Sequence, residues 1–257
     1  MTSIHQEYQL IYNTFNQLRH EIENDINNSK FPKTGKALLI FTDKIDEISK
    51  TLTPEITNFY TSQVLTRVIF EHYLVSDYLY TRSKLDLSDN VGQEYYKEYL
   101  CGEFFKRFSY SKQVDQIIDN NPEKKTQLEI IKESLPEFED LTNAELQRIF
   151  EIKNSFYDLK KIGKYLIKSE TEKYSIANFN KAKLDLIKRY SDLSSYVHGG
   201  PLAERDFMTL DIQKKEEIVK ENVDWSKLAS KLSKLNLLNL LTGEFGLKYL
   251  KVLKIFN

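Results

Sequence analysis

The sequence predicts an all-α protein, a single-domain helical bundle over residues 1–257, and three observations predict it. Glycine and proline are scarce, 8 and 5 in 257 residues, which is about one residue in twenty against roughly one in eight in an average chain. Sandwiches and barrels need turn residues at intervals of about 8 to 12 positions, and this composition cannot supply them. Apolar residues recur at spacings of three and four along most of the chain, the period of one helix face. Finally, 40% hydrophobic and 12% aromatic content suffices to bury a core at this length.

The elements follow in order. Ile4, Tyr8, Ile11, Phe15, Leu18 and Ile22 alternate spacings of four and three, predicting one amphipathic helix over the first 26 residues. Ser29-Lys30-Phe31-Pro32 breaks it, and a shorter helix is expected from Gly35 to Ser49, packing through Leu38, Phe41, Ile45 and Ile48. Thr53-Pro54 reads as a cap with proline at the first helical position. It opens a long helix to about Tyr80 that is apolar on nearly every side and so belongs at the centre of the bundle. Ser88-Asp89-Asn90 starts a Tyr- and Phe-rich helix to about Phe108, and an acidic amphipathic region runs from Ser111 to Arg148. Within it, Asn121-Pro122 and Leu135-Pro136 are breaks, and Thr142 with Glu145 makes a capping box. Further helices are expected from about Asn154 to Lys168 and from about Asn178 to His198, the latter stopped by Gly199-Gly200-Pro201. A loop, Ala203 to Phe207, follows, and a last helix runs from Trp225 toward Phe256 on Leu228, Leu232, Leu235, Leu238 and Leu241.

Several function classes are excluded. With 37 Lys and Arg against 38 Asp and Glu, the chain is not basic overall, as a nucleic-acid coat protein usually is. The lone cysteine, Cys101, forbids an intramolecular disulfide and a cysteine-rich zinc site and fits a reducing, cytoplasmic home. Met1 to Glu7 lacks the basic start and apolar run of a signal peptide. The most apolar stretch, Leu235 to Leu253, is interrupted by Asn236, Asn239, Glu244, Lys248 and Lys251, so no membrane span is expected. No phosphate loop, dinucleotide fingerprint, zinc-protease helix or nucleophile elbow occurs. Neither a metal site nor a cofactor is expected.

Two groups of residues carry candidate chemistry. In the long central helix, Arg67 and Glu71 interrupt the apolar stripe of Ile56, Tyr60, Val64, Leu74 and Tyr78. One helical turn separates them, so they can form a pair that fixes helix register. Alternatively, Arg67 faces a cleft as a phosphate clamp oriented by Glu71. The second group is Tyr190, Ser194 and His198, spaced four apart on one helix face. His198 reads either as a helix C-terminal cap or as a general acid and base, since imidazole titrates near neutral pH. Packed together, Arg67, Glu71, Tyr190, Ser194 and His198 would make one composite site from two helices.

The segment Arg67-Val68-Ile69-Phe70-Glu71-His72 has the Arg-x4-His form of HEPN proteins, the helical nucleotide-binding and ribonuclease superfamily of bacterial toxins and phage defence. Leu193 to Gly199 resembles the His-Gly ending of many HEPN-like helices. The resemblance spans roughly residues 54 to 200 and implies a HEPN-like core with additional flanking helices. It further implies a metal-independent endoribonuclease, whose partners would be a second copy in a homodimer and an antitoxin or other defence-system protein. In that mechanism His72 or His198 moves the proton of the ribose 2′-hydroxyl or of the leaving oxygen, and Arg67 stabilises the phosphorane. Tyr190 and Ser194 then bind phosphate or orient the histidine, and the products end in 2′,3′-cyclic phosphate. The competing expectation is a non-catalytic helical module that binds a nucleotide, RNA or protein. A last clue is electrostatic: Lys227, Lys231, Lys234, Lys248, Lys251 and Lys254 face only Glu244 between residues 226 and 257. That segment is either a basic helix tracking an RNA backbone or a core helix with a lysine-rich solvent side.

Overall fold

Helix follows helix in a computed structural model that describes residues 4–54, 57–99, 129, 132, 138–156, 158–173, 181–246, 248–250 and 252. The elements are α1 (Ile4–Gln17), α2 (Arg19–Asn28), α3 (Pro32–Thr51), α4 (Phe59–Asp86), α5 (Asn90–Glu94), a π-helical turn (Tyr95–Tyr99), α6 (Asn143–Phe156), α7 (Leu159–Lys173), α8 (Lys181–Val197), α9 (Pro201–Thr209) and α10 (Ile212–Phe245). Among the described residues there is no strand, and no helix is long and apolar enough to cross a membrane. The fold is the expected all-α bundle.

As its pattern predicts, α4 is the central helix. It packs against α3, α10, α8 and α7, and Ile69, Phe70, Tyr73, Leu74, Val75, Tyr78 and Leu79 are all buried along it. It begins later than Thr53-Pro54 suggests. Asn58 is the actual cap, its side chain accepting from the Thr61 N–H at 2.9 Å, while Thr57 Oγ1 accepts from the Thr53 N–H and ties the preceding turn.

Other boundaries also move, each for a local reason. The first helix is interrupted at Leu18, where Arg19 turns to bind Glu23 and reaches Asp43 on α3 with both terminal nitrogens. Pro32 opens α3, and Asp89, which stands at the N-cap position of α5 as expected, turns its side chain to α3, accepting from the Lys33 and Thr34 N–H groups at 2.9 and 2.8 Å. Gly92 permits this approach, because a Cβ there would lie 2.3 Å from the Thr34 nitrogen. The Thr142–Glu145 capping box forms as expected. The helix expected from Asn154 to Lys168 is two helices, since Asp158 accepts from the Lys160 and Lys161 N–H groups and starts α7.

Gly199, at φ 62°, ends α8 as expected. The anticipated loop from Ala203 to Phe207 is the short helix α9, with Pro201 in its first turn and the Ala203 N–H donating to Ser195 Oγ. The last helix starts thirteen residues before Trp225, capped by Asp211. It stops at Gly246, φ 56°, so residues 226–257 are not one continuous helix. Beyond it, the buried Tyr249 hydroxyl donates to Asp25 at 2.7 Å. Ile56, Cys101, residues 100–108 of the helix expected up to Phe108, most of the acidic segment from Ser111, Lys251 and Lys254 lie outside the described residues.

Two polar clusters inside this apolar frame set helix register. Asn222 on α10, fully buried, donates to Ser62 Oγ and Gln63 Oε1 on α4 and accepts from Arg189 on α8. Lys234 on α10 is likewise fully buried and donates to Asp46 on α3 and to Ser230. The rings of Tyr12 and Phe15 lie 5.8 and 5.5 Å from its ammonium.

Candidate functional site

Helices α4 and α8 run antiparallel, with Tyr60 donating to the Tyr196 carbonyl at 2.6 Å and Arg67 meeting Tyr190 further along. Arg67 is 8% exposed. One terminal nitrogen donates to Glu71 and the other to the Tyr190 hydroxyl at 2.7 Å, with the guanidinium carbon 4.1 Å from the Tyr190 ring centroid. The spacing of Arg67 and Glu71 thus makes the expected pair, and Tyr190 completes it. Burial pushes the Tyr190 phenol up to about 12, with the nearby Arg67 pulling the other way. It therefore stays protonated at neutral pH and retains a proton to donate.

The histidines stand apart from this cluster. His72 follows Arg67 by five residues, about 140° around the helix, and its ring packs 5.7 Å from Phe41 on α3, away from α8. Burial, helped by Lys44, lowers its pKa to about 4, so at pH 7 it is neutral. His198 is exposed just past the end of α8. From Tyr190 to Val197 the helix rises roughly 10 Å, which places His198 about two turns along α8 from Tyr190. The composite of Arg67, Glu71, Tyr190, Ser194 and His198 expected from the sequence is thus joined at its first three members.

His72 makes acid stability testable. A histidine whose folded pKa lies below its unfolded value binds its proton more readily in the unfolded chain. Stability is therefore complete above about pH 6.5 and is lost as pH falls from there to about 4. The expected loss is about 2 to 3 kcal/mol at about 1.4 kcal/mol per unit, and His72→Phe should remove that part of the pH dependence in urea unfolding at pH 7 and pH 4.5. An unchanged slope would contradict a buried neutral imidazole.

Between α7 and α8 the structure shows a groove of about 550 Å³, whose lining includes Leu74 of α4 and Asp158. Tyr190, Ser191 and Ser194 line it from α8, and Lys160 and Lys164 from α7. Ser194 therefore belongs to this groove. Gly163 approaches α8 at one point, where a Cβ would sit 3.3 Å from the Ile187 side chain. Helices α7 and α8 together carry nine basic and four acidic residues, a local excess that the near-neutral whole conceals.

The expected C-terminal lysine track is divided. Lys234 is sealed in the core with Asp46 and has no route to a phosphate backbone. Lys248 bonds Glu21 and Asp25. Lys227 and Lys231 lie at a pocket between α1 and α10. The groove lysines are absent from the sequence-based candidates, although Lys160, Lys164 and Lys168, spaced four apart, form a legible stripe on one helix face. Among the described residues no cluster of three or more His, Cys, Asp or Glu side chains is placed to hold a metal ion. In comparisons with known proteins, no family model, no curated protein and no solved structure matches the chain.

Proposed function

We propose that this chain is a HEPN-like helical module that binds single-stranded RNA in the groove between α7 and α8 and does not itself cleave it. The observation that carries this reading is the lining of that groove. Lys160 and Lys164 of α7 and Tyr190, Ser191 and Ser194 of α8 line one groove of about 550 Å³, together with Asp158 and the apolar Leu74, Leu159, Ile167 and Ile187. Phosphate oxygens accept from both kinds of donor, and ammonium groups add the counterion release that dominates nucleic-acid affinity. Behind the groove, Arg67 fixes the Tyr190 ring by stacking and by a hydrogen bond. In the cleavage that the HEPN resemblance implies, an imidazole serves as acid and base; His72 packs against Phe41 on α3, and His198 lies past the end of α8.

A second reading is cleavage by a histidine supplied across a homodimer. It draws on the exposure of His198 beside exposed Val197, Leu202 and Phe207, an apolar edge that a second copy would cover. Incubation of the protein with a labelled RNA, followed by end analysis, separates the two. Bound but intact RNA, with affinity unchanged in His198→Ala, supports binding; 2′,3′-cyclic phosphate ends that disappear in His198→Ala would replace it with the cleavage reading.

A further inference from the structure

Helices α1 and α10 leave between them a pocket of about 400 Å³, within the range of small-molecule sites and separate from the RNA groove. Tyr8 and Ile11 form its α1 wall, and Trp225 and Leu228 its α10 wall. Trp225 is held from behind. Phe70 meets its ring edge-on at 6.1 Å, and the Arg189 guanidinium lies 6.0 Å from the ring centroid. Tyr8 offers its ring, which stacks on Tyr12 at 6.2 Å, because its hydroxyl is buried, and burial with the Asp46 charge raises its pKa well above the usual phenol range. The walls are therefore preformed and apolar.

The walls decide the ligand class. Glu221, Asp224, Lys227 and Lys231 line the pocket from α10, and Glu221 pairs with Arg189 at 3.4 Å. An ionic ligand would lose hydration on entering a cavity whose Tyr8, Ile11, Trp225 and Leu228 walls carry no charge to pair with it. A neutral planar molecule loses little and gains contact with both aromatic walls. We propose that this pocket binds a small uncharged aromatic molecule, of one or two fused rings, stacked between Tyr8 and Trp225. The inference does not depend on RNA binding.

Trp225 is the only tryptophan in the chain, so intrinsic fluorescence of the full-length protein reports on this wall. The probe is para-nitrobenzyl alcohol, a neutral aromatic quencher, compared with para-nitrobenzoate and para-nitrobenzylamine. Saturable quenching by the alcohol at one site per chain is expected, with the two charged analogues at least about tenfold weaker, a factor equal to about 1.4 kcal/mol. Leu228→Phe, which fills the pocket, should weaken the alcohol by a similar factor of about ten. Leu228→Gln, which makes the wall polar at a half-buried position, should do the same and serves if the first variant misfolds. Linear, non-saturating quenching, equal binding of the charged analogues, or unchanged affinity in a folded Leu228 variant would overturn the proposal.

Discussion

Asp46→Asn is expected to cost about 3 to 5 kcal/mol of folding stability, the range for stripping one partner from a buried ion pair. A typical domain has about 5 to 15 kcal/mol in all, so the variant should be largely unfolded in mild denaturant. The cause is the environment of Lys234. Its side chain is 0% exposed, its acceptors are Asp46 and Ser230, and its ammonium lies against Tyr12 and Phe15. Burial holds its pKa below the ordinary lysine value even with Asp46 opposing that shift. Without the carboxylate the amine should fold neutral. A lysine with a depressed folded pKa binds fewer protons folded than unfolded, so the variant's stability should rise as pH approaches 10.5, lysine's ordinary value. Pairing Asp46→Asn with Lys234→Met should recover most of the loss, because an apolar residue of similar length needs no counter-charge. Urea unfolding of the two variants at pH 7 and pH 9.5 checks this; a loss below about 1 kcal/mol in the single variant would contradict a buried charged lysine.

Arg67→Ala is expected to be the next most damaging change, and its signature separates a structural pair from a catalytic clamp. It removes the hydrogen bond to Tyr190, the stacked guanidinium and the contact with Glu71. Glu71 is 38% exposed in its side chain and is partly rescued by water, which holds the expected cost to about 2 to 3 kcal/mol. For a chain of this size that is a fall in Tm of roughly 4 to 10 °C. RNA affinity at a temperature where the variant is folded should stay within about threefold, since a factor of ten would require about 1.4 kcal/mol of direct phosphate contact. Melting by circular dichroism and RNA binding by fluorescence anisotropy give both numbers. A stable variant with RNA affinity reduced tenfold or more would make Arg67 a phosphate ligand.

Much of this molecule is legible in its sequence wherever the information is local. The apolar character of residues 59–80 on every side places α4 at the centre, and the four-residue spacing of Arg67 and Glu71 finds their pair. Thr142 with Glu145, and Gly199 after α8, mark helix ends through chemistry contained within a few residues. What escapes reading depends on distant partners. Lys234 has the spacing of a solvent-facing lysine beside Lys227 and Lys231, and the carboxylate that makes it a core residue is 188 positions away. Asp89 looks like the cap of its own helix, yet its carboxylate oxygens serve α3. The reach of α10 back to Ile212 is hidden because only Val219, Asn222 and Val223 of its first turns are buried, too few for an apolar stripe to show. For the candidate site, Tyr190 and Ser194 are found by their shared face, whereas their lysine partners on α7 require knowing which helix lies alongside.

Binding of RNA in the groove is tested most sharply by combining Lys160→Glu with Lys164→Glu and measuring affinity for a labelled single-stranded RNA by fluorescence anisotropy across a salt series. Both side chains are exposed, so the fold should be retained. Binding should weaken by at least about tenfold, with a log–log salt slope shallower by about 1.4, the value for two lost single-strand phosphate contacts. Unchanged affinity and an unchanged slope would contradict RNA binding between α7 and α8.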